Sequence, residues 1–156
     1  MEKAGWMEKT LEIARESVLS GRGGPFGAVV VKDGKLIGKG ANEVTILNDP
    51  TAHAEIQAIR EACRTLGHFQ LDGCEIFTSC EPCPMCLGAI YWARPRAVYF
   101  AYTWEDAAAA GFDDAYIYEQ MALPFDRRSL PMKQVEPGEG ANPFELWEKL
   151  PDKAPY

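Results

Sequence analysis

The sequence predicts an α/β domain in which helices cover a mixed β-sheet. Two patterns support this prediction: a pair of strand-like segments around a tight-turn signal, and an alternation of helical and strand-like segments after it. The chain has 156 residues, of which 47% are hydrophobic and 25% are charged. That length and composition are typical of one globular domain with its own hydrophobic core.

The first element is predicted to be an amphipathic helix. Apolar residues recur at helical spacing at Met7, Leu11, Ala14 and Val18. A glycine-rich turn follows, so we expect this helix to end near Gly21.

A β-hairpin is predicted next. Residues 26–32 and 36–44 are rich in apolar residues and flank Asp33-Gly34, a favoured two-residue hairpin turn. These two segments should therefore pair as antiparallel strands.

The middle of the chain alternates between the two kinds of element. A second helix is predicted from an apolar stripe that ends before Gly67 and consists of Ala52, Ile56, Ile59, Cys63 and Leu66. The later segments are a strand at 75–79, a helix at 84–92, a strand at 97–102 and helical pieces at 107–110 and 116–121. Crossovers through the second and third helices should make the later strands parallel to their neighbours.

The composition changes after Leu123, since six of the eleven prolines lie from Pro124 onward. We therefore expect a main domain at 1–123 and a C-terminal tail at 124–156. The tail carries apolar residues on a short helical segment, namely Phe144, Leu146, Trp147 and Leu150. That much apolar surface must dock on the chain's own body or on a partner.

Charge and segment composition exclude several classes of protein. The formal net charge is −7 and the basic residues are scattered, which disfavours a nucleic-acid partner. The first ten residues lack a signal-peptide pattern, and no apolar stretch approaches the ~20 residues of a membrane span. Three of the five cysteines cluster at 80–86, which in such a chain favours metal ligands over disulfides. We expect a cytoplasmic protein without a membrane partner.

The strongest motif pairs His53-Ala54-Glu55 with Cys83 and Cys86. The two cysteines lie three apart at a predicted helix start, so both sulfur atoms fall on one face, where the helix dipole stabilises thiolates. Three protein ligands leave a fourth zinc position for water, which is typical of a catalytic site.

Glu55 is the candidate proton carrier, because a carboxylate beside activated water can take a proton and deliver it to a substrate. Positions i and i+2 of an ideal helix point in nearly opposite directions. The site should therefore lie at the helix mouth, where His53 and Glu55 can reach one cavity.

The residues also allow a structural zinc site without catalysis. Cys80 could join His53, Cys83 and Cys86 in a four-ligand structural zinc site, although such a site has no need of Glu55. The two remaining cysteines, Cys63 and Cys74, are expected to be buried small hydrophobes. His68 follows a helix end and should be solvated or capping.

These motifs resemble the cytidine deaminase-like superfamily, through Thr51-Ala52-His53-Ala54-Glu55 and the segment at 80–90 that contains Pro82-Cys83-Pro84-Met85-Cys86. The resemblance implies a three-layer α/β/α sandwich with a five-stranded mixed sheet. It also implies one zinc ion per subunit, held by His53, Cys83 and Cys86, with Glu55 as the proton shuttle.

Within that superfamily the chain looks most like bacterial guanine deaminases, in the segments at 24–28, 48–51, 91–94 and 111–114 and in the final Tyr156. This likeness implies hydrolysis of guanine to xanthine and ammonia. It further implies purine contacts from Phe26, Asn42, Trp92 and Tyr156, with Asp114 as a second proton carrier. A homodimer is implied in which the C-terminal segment crosses to the neighbouring subunit.

By themselves the residues leave other readings open. Phe26 and Trp92 could be core residues, Asn42 could satisfy turn backbone, and Asp114 could be a solvated or capping acid. Alternative activities are deamination of guanosine, of an aminotriazine such as ammeline, or of tRNA adenosine, which would need a basic face. A zinc-stabilised module without catalysis is the alternative from another class.

Overall fold

A computed structural model describes residues 1–112 and 114–156, so Asp113 of the 111–114 segment lies outside the described residues. The strands are β1 Gly27–Lys32, β2 Lys35–Ala41, β3 Glu75–Cys80 and β4 Ala97–Tyr102. The helices are α1 Lys3–Leu19, α2 Val44–Leu47, α3 Ala54–Leu66, α4 Pro84–Ala93, α5 Trp104–Ala109, α6 Ala115–Ala122 and α7 Pro143–Glu148, with a 3₁₀ turn at Phe125–Arg127.

The hairpin is confirmed, with β1 and β2 antiparallel around a tight turn. Asp33 and Gly34 both have positive φ angles, of 48° and 71°, as a two-residue hairpin turn with the twist of its strands requires. β2 ends at Ala41 rather than at residue 44. Asn42 causes the early end, because its Oδ1 accepts a hydrogen bond of 3.2 Å from the Val44 amide and turns the chain into α2.

The strand order in the sheet is β2-β1-β3-β4. β4 runs parallel to β3, as the crossover through α4 predicts, but β3 runs antiparallel to its other neighbour, β1. The prediction of parallel neighbours is therefore wrong for the crossover through α3. That connection joins β2 to β3, which run in the same direction but lie on opposite sides of β1.

The sheet has four strands in the described chain, and the expected fifth strand is a further correction. After β4, Thr103 and Asp106 form a capping box that starts α5 at once. Beyond α6, recurrent prolines interrupt the chain from Pro124 onward. Proline cannot donate to a strand ladder, so this part of the chain is poorly suited to extending the sheet.

Helices pack on both faces of the sheet, and β1 shows why. Ala28 and Val30 point toward a core formed with α3 and α4. Val29 and Val31 point toward the opposite face, where they pack with Trp6 of α1. Alternate side chains of a strand face opposite sides, so this fully buried strand serves two cores.

α3 lies unusually close to β2, because small residues meet there. A Cβ atom added at Gly40 would lie 2.2 Å from the Ala54 carbonyl oxygen, and one at Gly38 would lie 2.5 Å from that of Ala58. The buried residues of α3 are Ala54, Glu55, Ala58 and Ala62, whereas the predicted stripe of larger residues lies at the flank. This close packing fixes the start of α3 against the sheet.

The chain divides into two compact units, Met1–Tyr116 and Ile117–Tyr156. The sheet and both cores belong to the first unit. In the second, the Arg128 guanidinium donates hydrogen bonds of 2.9 Å to the Leu123 carbonyl and 3.2 Å to that of Met121. None of the described helices is long and apolar enough to cross a membrane.

Candidate metal centre and catalytic pocket

Two helix starts bring the metal-binding motif together. His53 is the N-cap residue of α3 and Cys83 is the N-cap residue of α4, both with extended backbones. Pro84 occupies the first turn of α4, where its missing N–H costs nothing. Cys86 follows in the same turn, and its backbone amide donates a 3.4 Å hydrogen bond to the Cys83 sulfur.

The three predicted metal ligands converge on one point. His53 Nδ1 lies 3.6 Å from Cys83 Sγ and 3.5 Å from Cys86 Sγ, and the three ligand atoms all lie within 4.8 Å of one another. One imidazole nitrogen and two sulfurs are the donor set that zinc prefers, and three protein ligands leave one position open. The geometry and chemistry of His53, Cys83 and Cys86 therefore fit a catalytic zinc ion.

The groups around Cys83 lower its pKa. A hydrogen bond from the Cys86 thiol is the main cause that lowers the pKa of Cys83 to about 4, and His53 adds to it. The same bond, with burial, raises the pKa of Cys86. The hydrogen bond to Cys83 also raises the pKa of His53. Cys83 is therefore a thiolate at neutral pH, which is the form that a metal binds.

Glu55 reaches the same site although it lies only two positions beyond His53. His53 precedes the helix, so the opposite directions of i and i+2 on a helix do not apply here. Glu55 Oε2 lies 3.5 Å from Cys86 Sγ, and Oε1 lies 3.3 Å from the Thr78 hydroxyl. The side chain is only 6% exposed, and this burial raises its carboxyl pKa.

Cys80 is not part of the metal-binding group found among the described residues. Its thiol points elsewhere and donates a 3.4 Å hydrogen bond to the Thr103 carbonyl. Burial raises the pKa of this thiol to about 11, so it is a neutral side chain at physiological pH. These observations support the three-ligand site over the four-ligand alternative.

The remaining cysteines and the second histidine have the plain roles expected of them. Cys74 is fully buried and Cys63 packs half-buried against the same core. His68 is exposed, and its Nδ1 accepts a 3.0 Å hydrogen bond from the Gln70 amide just beyond α3. None of the three belongs to the metal-binding group of the described chain.

A pocket of about 590 Å³ opens over the metal-binding residues. Three of the residues predicted to serve the substrate line it together with His53 and Glu55, namely Phe26, Asn42 and Asp114. Its walls combine two aromatic rings, an amide and three carboxyl groups, which is the chemistry that recognises a flat, polar heterocycle.

The two other predicted substrate contacts are exposed side chains. Trp92, near the end of α4, is 63% exposed and is not among the residues that line the pocket. Tyr156 belongs to the second compact unit and is 70% exposed. Their roles toward a substrate remain predictions.

One aromatic wall of the pocket, Phe112, was not predicted from the sequence. The Phe112 ring packs edge-to-face on that of Phe26, with 4.9 Å between ring centroids and an interplanar angle of 84°. Phe112 lines the pocket together with Phe26, and no motif in the sequence marks it for that position.

Comparison with known proteins agrees with this geometry. A family model for the cytidine and deoxycytidylate deaminase zinc-binding region matches residues 1–102. Guanine deaminase from Bacillus subtilis (strain 168) is 53% identical over 156 residues, which make up 100% of both chains. The X-ray structure of a guanine deaminase from Bacillus subtilis matches with a TM-score of 0.97 and 52% identity, covering 100% of this chain and 99% of that one.

A second branch of relatives matches over a shorter region. tRNA-specific adenosine deaminase from Aquifex aeolicus (strain VF5) is 49% identical over 77 residues, or 49% of this chain and 51% of that protein. The family model spans His53, Glu55, Cys83 and Cys86 and most of the chain. This chain therefore belongs to the family defined by the cytidine and deoxycytidylate deaminase zinc-binding region.

Proposed function

We propose that this chain is a zinc-dependent guanine deaminase, which hydrolyses guanine to xanthine and ammonia. The observation that carries the choice of substrate is the 53% identity to a guanine deaminase along the full length of both chains. The tRNA-specific adenosine deaminases match only part of the chain, between 49% and 65% of it. The net charge of −7 also disfavours an RNA substrate.

The metal-binding group supplies the first requirement of the reaction. A zinc ion held by His53, Cys83 and Cys86 would supply Lewis-acid chemistry that makes water a stronger acid. The protein's own contribution is to hold the three ligands in place at the base of the pocket. Because Cys83 and His53 sit at helix starts and Cys86 lies in the first turn of α4, their positions are set by backbone rather than by flexible side chains.

Glu55 moves the protons. It accepts a proton from the attacking water and delivers it to the ring nitrogen next to C2 of guanine, while the water oxygen bonds to C2. Glu55 then takes the second proton, from the new hydroxyl group on C2, as the C2 carbonyl forms. That proton reaches the departing amine from Glu55 itself or through Asp114, and the bond from C2 to the amino nitrogen breaks to release ammonia. The raised carboxyl pKa of Glu55, caused by burial, suits a group that must both take and give a proton near neutral pH.

The aromatic and amide groups of the pocket orient the base. Phe26 offers a ring on which the purine stacks, and Asn42 hydrogen-bonds to its polar edge. Both side chains line the pocket beside Glu55, which supports these roles. Trp92 and Tyr156 complete the set of proposed substrate contacts, and their exposure in a single chain is compatible with a site that a second chain helps to close.

The active form is proposed to be a homodimer that exchanges C-terminal segments. The second unit exposes large apolar side chains, including Phe144 at 78%. An exposed apolar surface of this kind favours association. In the exchanged dimer the C-terminal segment of one subunit covers the pocket of the other. The cytoplasmic location stays a prediction.

The test is ammonia release by the zinc-loaded protein from guanine, guanosine, adenine, cytosine and ammeline, with a tRNA substrate as a further arm. E55Q is the matched control, because it keeps the size of the side chain and removes its ability to exchange a proton. We expect release from guanine alone, lost in E55Q with zinc still bound. Near-normal turnover by E55Q, or release only from another substrate, would contradict the proposal.

A further inference from the structure

Thr78 lies behind Glu55, on the side of the carboxyl group that faces the sheet. It belongs to β3, which is paired on both edges, and only 2% of the residue is exposed. Its hydroxyl oxygen lies 3.3 Å from Glu55 Oε1 and 3.0 Å from the Cys80 carbonyl oxygen. A buried hydroxyl between two acceptors on different elements has little freedom to move.

The two oxygens of Glu55 therefore have different neighbours. Oε1 meets the Thr78 hydroxyl, whereas Oε2 lies 3.5 Å from Cys86 Sγ, on the side of the metal-binding group. Rotation of the carboxyl group would exchange these contacts. The contact with Thr78 opposes that rotation and keeps Oε2 directed toward the reacting side.

The Thr78 hydroxyl can stay hydrogen-bonded to Oε1 of Glu55 in both protonation states of that carboxyl group. A threonine hydroxyl has one proton to donate and can also accept. When Glu55 is a carboxylate, the hydroxyl can donate to Oε1. When the shuttled proton is on Oε2, which faces the reacting side, Oε1 still has a lone pair and the hydroxyl can go on donating to it.

We propose that Thr78 is a positioning residue for the proton shuttle, which holds the Glu55 carboxyl in one orientation through both halves of the proton transfer. This inference rests on the proposed function only in giving Glu55 the role of shuttle. The geometry itself, a sheet hydroxyl bonded to a carboxyl group beside the metal ligands, is independent of the substrate.

The experiment compares T78V, T78S and T10V as zinc-loaded proteins. T78V keeps the branched shape and removes the hydroxyl, and T78S keeps the hydroxyl. T10V is the matched control, because Thr10 is also fully buried and its hydroxyl donates a hydrogen bond to the Trp6 carbonyl, within α1. For T78V we expect kcat for guanine to fall roughly 10- to 100-fold with KM little changed, since misplacing a reacting group costs about that much. T78S and T10V should stay near the wild-type kcat.

A second readout does not depend on turnover. The carboxyl stretching band of Glu55, identified by its loss in E55Q, should shift in T78V and stay in place in T78S and T10V. Wild-type kcat in T78V, or an unshifted band, would overturn the proposal. Should T78V fail to fold, T78A removes the same hydroxyl and is measured in the same way. If the wild type does not deaminate guanine, the proposed function fails and the infrared band alone decides the role of Thr78.

Discussion

The two compact units of the chain differ in what their apolar side chains do. In Met1–Tyr116 the central strands β1 and β3 are covered on both faces, and residues such as Val30 and Phe77 are almost wholly buried. In Ile117–Tyr156 none of the described residues is buried, and Phe144 and Trp147 are exposed. The first unit thus contains a core of its own, and the second presents apolar surface without one.

This difference explains why the metal-binding side chains and Glu55 are held at well-defined distances in the first unit. The metal-binding group and Glu55 lie at the starts of α3 and α4, which are packed against the sheet of the first unit. A close-packed core has low compressibility. The distances among these side chains are therefore well fixed. The second unit has no such support, and its contribution to function should come from association.

The largest effect should come from breaking the metal-binding group of the first unit. C83S replaces the thiolate ligand with a hydroxyl, so we expect loss of stoichiometric zinc and a fall in turnover of at least about 100-fold. C63S is the matched control, because Cys63 lies outside the metal-binding group and should keep its zinc. Metal analysis and ammonia release measure both variants, and full zinc in C83S would refute this ligand assignment.

A second variant tests the packing that positions α3. G40A introduces a Cβ atom 2.2 Å from the Ala54 carbonyl oxygen, so α3 must move away from β2. We expect a loss of about 3 kcal/mol in the free energy of unfolding, together with weaker activity. G88A is the control, since a Cβ there meets nothing within 4 Å and alanine favours a helix. Urea denaturation of the zinc-loaded proteins gives the comparison, and a wild-type midpoint in G40A would contradict it.

The contribution of the second unit is tested by ending the chain after Val135. We expect the truncated protein to keep its zinc, because the ligands lie in the first unit. It should lose the proposed dimer. Because the proposed tail exchange then no longer covers the pocket, turnover should fall by about tenfold or more. E139Q, a polar change at an exposed position of the same unit, should have neither effect. Sedimentation measures the oligomeric state and ammonia release measures turnover. A fully active truncated monomer would rule out tail exchange.

The smallest effect concerns the exposed loop before His53. The Thr51 hydroxyl and amide donate hydrogen bonds of 2.7 and 2.8 Å to the Asp49 carboxylate. These bonds hold the pKa of Asp49 below its ordinary value of 3.8. A lowered pKa means that this stabilisation is present above pH 3.8 and is lost as the pH falls through the folded-state value. In T51V the pKa should rise toward 3.8. Carboxyl-carbon NMR titration measures it, and an unshifted value in the wild type would contradict the assignment.

Local sequence signals predicted most elements of the first unit well. The hairpin turn, the glycine end of α3 and the span of β4 are all confirmed, because each depends on interactions between residues close in the chain. The pairing of β3 with β1 was not predicted. Strand order depends on which faces bury most apolar surface, and the local pattern is the same for either neighbour.

The candidate site was predictable in its ligands and less so in its walls. His53, Cys83 and Cys86 form a spaced motif whose residue types have few other uses together. Phe112 and Thr78 have no such motif, since an aromatic residue or a threonine fits many places in a fold. Only the folded chain brings Thr78 of β3 to within 3.3 Å of the Glu55 carboxyl.

The sequence by itself determined that a hairpin, alternating elements and a three-ligand zinc motif are present. The tertiary structure decided which side of each helix is buried. On α1 the buried residues are Trp6, Thr10, Ala14 and Ser17, of which only Ala14 belongs to the predicted stripe. On α3, alanines face the glycines of β2 while larger residues lie at the flank. Helical periodicity shows that a helix has an apolar side, but the shape of the facing strand determines which residues fit there.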